Sequence, residues 1–320
     1  MEDFQHPAPS IPIHDSLPHA RLTFIERYGI SPIVFGFLVL IVVFLLYQIV
    51  GGVITFLFFG IKPTPDNVVG YRMATGLGQI FLLLVPTIFL ARFVSLKPSQ
   101  FMRLKFPELH TLIPTIVGIF SLQQMLQIYL AVQEKIPLPE SIQTQLRQIK
   151  ELIEEVYKVL VSSNSLPELF YVILIVAFIP AIAEELFFRG LVQRSFEQGL
   201  SPVKGLLLTS LIFGAYHLNP TSFVPLAALG VYLGYLVLRS QSVWLSAFAH
   251  FCNNAFACVA VYLSKNDDYI VTGDPEEMSA VLLLGTFVSF GVIFFFSTYY
   301  FIQVTKPINL PHTSIVQAPS

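Results

Sequence analysis

The sequence predicts an all-α, polytopic transmembrane helical bundle of about eight helices, seven being the smaller count it allows. Three observations predict it. The chain of 320 residues is 54% hydrophobic and only 12% charged, about half the charge share of an ordinary soluble domain. Apolar runs long enough to cross a bilayer recur along the whole chain. Between them no repeat, low-complexity tract or second soluble domain appears.

Each run reads as a helix, because an open chain in lipid can satisfy its backbone groups only internally. The runs cover about 33–59, 72–95, 111–132, 168–190, 204–218, 221–239, 243–263 and 279–303. The fifth is short, and only Asn219-Pro220-Thr221 parts it from the sixth, hence seven or eight. One transmembrane domain over 33–303 is expected between polar tails at 1–32 and 304–320. The first run is longer than the apolar stretch of a secretory signal and lacks a small-residue cleavage site, so it reads as a span.

Loop charge orients the bundle. With the N-terminus inside, the inside segments carry 11 Lys and Arg residues and the outside segments 7. The positive-inside rule then puts both termini in the cytoplasm. An intramembrane Arg189 reduces the balance to 10 against 7. The net charge of −2 offers no basic surface, which excludes nucleic acid as a partner. Cys252 and Cys258, six residues apart in one run, face different directions on a helix, which argues against a disulfide between them.

The longest connection, about 134–166, has a pattern of its own. Ile142, Leu146, Ile149, Ile153, Val156 and Leu160 recur at spacings of 4, 3, 4, 3 and 4, one face of a helix over about 140–161. Arg147, Lys150, Glu151, Glu154, Glu155 and Lys158 fill much of the rest. The plain reading is an amphipathic helix lying on the bilayer. The sharper one is a lid over a site.

Charge inside hydrocarbon is costly and demands a reason. Glu184 and Glu185 are the carboxylates that fall well inside the candidate spans. Glu185 and Arg189 are four apart with the acid first, the favourable order for a helical ion pair. Glu184 points about 100° away and is left for other work. A carboxylate kept in an apolar site without a charge partner holds a proton more readily, which suits a general base. The alternative, a cluster that merely pins helices, uses two adjacent acids where one would serve.

Two of the seven histidines, His217 and His250, fall in apolar runs. A lone histidine there is more often a hydrogen-bonded packing residue than a catalyst. His250 and Asn254, however, are four apart and emerge on one helix face. With Glu184 and His217 in the same chain, they read as a hydrolytic set rather than as interhelical glue. Glu184 and His217 would hold and deprotonate a water, and His250 and Asn254 would donate to a tetrahedral oxyanion. Cys252 faces away from His250, which disfavours a thiol nucleophile. Zinc held by Glu184, His217 and His250 is the alternative cofactor reading, although the short H-E-x-x-H spacing is absent; otherwise no cofactor is implied.

The ordered motifs Glu184-Glu185-x-x-x-Arg189, Phe213-x-x-x-His217 and His250-x-x-x-Asn254 resemble those of the CAAX-processing and bacteriocin-processing (CPBP) intramembrane proteases. That family is also called the type II CAAX prenyl endopeptidase or abortive-infection family. The resemblance covers about 165–263. It implies an α-helical membrane fold of about eight helices and hydrolysis of a peptide bond in an intramembrane cavity. It matches Glu184 to the water-activating glutamate, His217 to its partner, Glu185 and Arg189 to the supporting pair, and His250 and Asn254 to the oxyanion-stabilising pair. The family has been described both as metalloproteases and as glutamate-dependent enzymes. The partners implied are the lipid bilayer and a protein or peptide substrate, prenylated CAAX proteins for some members. A non-catalytic immunity or scaffold protein and a proton-coupled transporter are the readings from other classes.

Overall fold

The computed structural model describes residues 21–266 and 279–305; most of both polar tails, with His6, His14, His19, His312 and Lys306, lies outside them. Among the described residues there is no strand. Seven helices are long and apolar enough to cross a membrane: α1 (Pro32–Phe59), α2 (Val68–Val94), α3 (Leu109–Glu134), α5 (Leu166–Gly199), α7 (Phe223–Ser240), α8 (Val243–Ser264) and α9 (Ala280–Val304). Beside them are α4 (Glu140–Val161), the shorter apolar α6 (Pro202–Tyr216) and two four-residue helices at Phe24–Arg27 and Pro98–Phe101. The chain is an integral, multi-pass membrane protein with the expected all-α fold.

The helices group around two apolar clusters. Val39, Leu83, Phe187, Phe188, Leu191 and Phe213 bring α1, α2, α5 and α6 together. Ile119, Leu233, Leu236, Leu245 and Phe301 bring α3, α7, α8 and α9 together. Within a bilayer the drive for such contact is close packing rather than water exclusion. Gly230 of α7 illustrates it: a Cβ there would lie 3.1 Å from Ser210 Cα of α6. The seam between the halves is where α5 and α6 meet α7 and α8, and the polar residues collect there.

Local sequence sets the ends that matter. Ser201 caps α6, its hydroxyl accepting from Lys204 N–H, and Pro202 follows at the first turn, where no N–H is missed. At the other end Leu218 takes a left-handed φ of 52°. Asn219 then accepts from Thr221 Oγ1 and Ser222 N, and Pro220 disfavours helical geometry at Asn219. The 15 residues of α6 therefore span only about 22 Å, short of a hydrocarbon core of about 30 Å.

The fourth apolar run is longer than its composition implies, because α5 continues to Gly199. It thereby takes in Glu197, a fourth acid on the same helix after Glu168, Glu184 and Glu185. Glu197 is buried against Arg103, at 3.1 and 2.8 Å, with Gln193 and Arg194 also donating to it. This clasp closes the end of α5 against the segment before α3. Arg189 lies fully buried in α5, so 10 against 7 is the applicable loop-charge balance. Cys252 and Cys258 are buried free thiols.

The amphipathic helix is present as α4, with the bounds its periodicity gives. Its C-terminal carbonyls are held by a residue of another helix. Arg72 of α2, 1% exposed, donates to Val159, Leu160 and Ser162 carbonyls and pairs with Glu168 at 3.0 Å. A cation suits a helix C-terminus both as donor and against the dipole.

Candidate active site

Glu185 has no exposed surface and its carboxylate is fully occupied. Oε1 lies 3.1 Å from Arg189 Nη1 and accepts from His250 Nδ1 at 3.0 Å. Oε2 accepts from Ser246 Oγ. The Arg189 nitrogen is near but off the hydrogen-bonding direction, so that attraction is chiefly Coulombic. Two other contacts steady the guanidinium. It sits 4.3 Å from the Phe213 ring centroid and donates to Gly230 O at 3.4 Å.

Helix α8 supplies its side of the cluster at one-turn intervals. Ser246, His250 and Asn254 share a face, and all three touch α5. Asn254 Nδ2 donates to Val176 O at 3.3 Å. Pro180 lies four residues beyond Val176 and has no N–H to give that carbonyl. The backbone of α5 is π-helical over Ile173–Phe178 and again over Leu186–Val192, with the acidic pair on the α-helical stretch between. Such π turns accompany functional sites often enough to be worth noting.

Glu184 faces elsewhere, as the helical angle requires. It is half-buried, and its Oε1 accepts from Gln79 Nε2 of α2 at 3.2 Å. Its Oε2 has no protein partner among the described residues. Tyr47 of α1 and Tyr216 of α6 stand within its electrostatic reach.

His217 caps the C-terminus of the short α6 and is exposed. Its Nδ1 donates to Phe213 O at 2.7 Å. A carbonyl only accepts, so in the neutral ring this tautomer leaves the Nε2 lone pair free. The Phe213 ring stands between the two histidines, 4.7 Å from the His217 ring and 6.2 Å from that of His250. Phe213, the first residue of the α6 motif, is thus the spacer that sets the histidines apart.

Of the six residues singled out from sequence, Glu185, Arg189, His250 and Asn254 meet where α5 packs on α8, His217 is joined to them through the Phe213 ring, and Glu184 faces α2. His250 is bound to Glu185, while Asn254 on the same face donates to Val176 O. The zinc alternative loses its basis in the donor geometry. Among the described residues no three His, Cys, Asp or Glu side chains gather as a metal set. Sequence reasoning missed Ser246 and Gln79. The spacing Ser246, His250, Asn254 could have revealed the first; nothing local marks the second, which joins α5 only in the fold.

A cavity of about 450 Å³ lies apart from these side chains, none of which lines it. It lies between the end of α3, the inner face of α4 and the turn after His217, with Gln127, Glu134, Arg147, Lys150, Asn219 and Thr221 among its walls.

No curated protein and no solved structure matches the chain. One family model does, that of the Rce1-like type II CAAX prenyl endopeptidases, over residues 166–256. The match runs from the first residue of α5 to just past Asn254 and contains all three motifs. In that segment, under a third of its length, the chain is similar to the Rce1-like type II CAAX prenyl endopeptidases.

Proposed function

We propose that this protein is a glutamate-dependent intramembrane endopeptidase, hydrolysing a peptide bond in a membrane-associated protein or peptide, with prenylated CAAX-type chains as one candidate substrate class. The observation that carries the reading is the different fate of two adjacent acids. Glu185 is sealed by Arg189, His250 and Ser246. Glu184 keeps one carboxylate oxygen without a protein partner on a half-exposed side chain, held only by an amide.

In this reading Glu184 takes a proton from water, with the free Nε2 of His217 holding the same water. The hydroxide adds to the substrate carbonyl carbon. The oxyanion that forms accepts from His250, protonated on Nε2 while Glu185 holds Nδ1, and from the second N–H of Asn254. Collapse breaks the C–N bond, and the proton on Glu184 passes to the leaving amine. No step needs a metal ion. The cavity under α4 supports the reading by giving an extended peptide a polar way to the turn bearing His217.

The test is peptide release from cell membranes, scored by mass spectrometry, for wild type, Glu184→Gln and His250→Ala. Loss of a general base costs about 10²–10⁴-fold and loss of an oxyanion donor about 10²–10³-fold. Release that is unchanged in Glu184→Gln, in protein that accumulates normally, rules the mechanism out.

A further inference from the structure

We infer that Gln79 is the positioning residue of Glu184, fixing one carboxylate oxygen so that the other faces the reacting water. The inference rests on the reading of Glu184 as the water-activating group. Gln79 lies on α2, far outside the matched segment 166–256, and is 4% exposed.

Three features separate this role from plain interhelical glue. First, the amide nitrogen donates to Glu184 Oε1 at 3.2 Å, and the Tyr47 hydroxyl faces the same amide. The carboxylate is thereby held on one side only, and Oε2 stays open. Secondly, the amide makes this contact at its own expense. Gln79 Oε1 is buried without a hydrogen-bond partner among the described residues, a condition that native cores avoid unless something else is gained. A residue retained as glue would satisfy both ends of its amide. Thirdly, other unpaired polar atoms lie here, though Gln123, Ser163, Gln193 and Thr298 have such atoms elsewhere. Arg189 Nε and Tyr216 Oη are also buried without partners, and both residues lie in the field of Glu184. Such local frustration belongs to sites where orientation matters more than stability.

The α2 backbone also turns π-helical at Gln79, over Gln79–Leu84. That turn resets the register of α2 just where the amide meets α5.

The experiment uses the full-length protein and the peptide that wild type releases fastest from membranes, resynthesised as an internally quenched reporter. Gln79→Met keeps the length of the side chain and removes the donor. The expected result is a kcat about tenfold lower or less, with KM within about twofold of wild type. Glu184→Gln combined with Gln79→Met should be no slower than Glu184→Gln alone, because a residue acting through Glu184 has nothing left to position. A wild-type kcat in Gln79→Met overturns the proposal, as does a further tenfold loss in the double variant. Gln79→Asn, which withdraws the donor by one methylene, replaces Gln79→Met if the latter does not accumulate, and the same outcomes apply. A Glu184→Gln protein as active as wild type instead removes the water-activation reading itself, and the positioning role with it.

Discussion

Replacing Arg189 by Met tests whether the buried acid is held by its charge partner. At 3.1 Å and an effective dielectric of about 20, the Arg189–Glu185 attraction is roughly 5 kcal/mol before desolvation. Desolvating both ions offsets much of that, so the pair itself contributes little net stability. Removing one member is different, since it leaves the Glu185 charge buried with only His250 and Ser246 beside it. Breaking buried pairs in this way costs about 3–5 kcal/mol. The loss of the cation over Phe213 adds a smaller amount, about 0.5–2 kcal/mol. Arg189→Met should therefore lower the free energy of unfolding in mixed micelles, measured by denaturing-detergent titration, by about 3–5 kcal/mol. Glu185→Gln in the Arg189→Met background should recover part of that loss, because a neutral amide no longer needs the cation. A single-variant cost below about 1 kcal/mol would refute the reasoning. So would a double variant less stable than the sum of the two singles predicts, since the cycle measures their coupling directly.

Other consequences are simpler to measure. Arg72→Ala should free the C-terminal turn of α4 from α2. Trypsin should then cut the folded protein faster at Lys150 and Lys158, while unchanged cleavage would show that α4 is held by its apolar face alone. Peptide release should survive a strong chelator, because among the described residues no three His, Cys, Asp or Glu side chains gather as a metal set; activity lost to a chelator and restored by zinc would restore the metal reading. Gly230→Val should force α6 from α7 at Ser210 and lower stability by about 1–3 kcal/mol; an unfolding curve identical to wild type would show that the close approach is not needed.

The fold was largely legible because lipid removes choices. Apolar runs of span length become helices, and seven of the eight runs do so within a few residues of their apolar limits, the fourth being the exception. The fifth, short in the sequence, is the short helix α6, and Asn219 and Pro220 follow its end. The fourth was misjudged at its end. Gln193, Arg194 and Glu197 read as a polar exit from the membrane, whereas Arg103 and Gln241 reach in from other parts of the chain and make that polarity affordable on a continuing helix. Such long-range pairings leave no local periodicity. The site shows the same limit. Glu185 with Arg189, and His250 with Asn254, could be paired by helical spacing. Gln79 with Glu184, 105 residues apart, could not.

The adjacency of the two acids also has a geometric reason. Consecutive residues on a helix diverge by about 100°, so one position faces the α6–α8 side and the next faces α2. On the first side Arg189, Phe213, Ser246 and His250 surround a fully buried charge. That arrangement fixes the helices that carry the second and third motifs relative to α5. On the other side, among the described residues, Gln79 alone hydrogen-bonds the carboxylate of Glu184. A single acid could not do both, since a carboxylate neutralised well enough to hold helices together is a poor acceptor for a proton from water. Placing the pinned acid next to the working one locates Glu184 to within one peptide unit of the most constrained residue on α5. It also predicts which variant fails in which way: Glu185→Gln should lose stability and activity together, whereas Glu184→Gln should lose activity in a protein that unfolds like wild type.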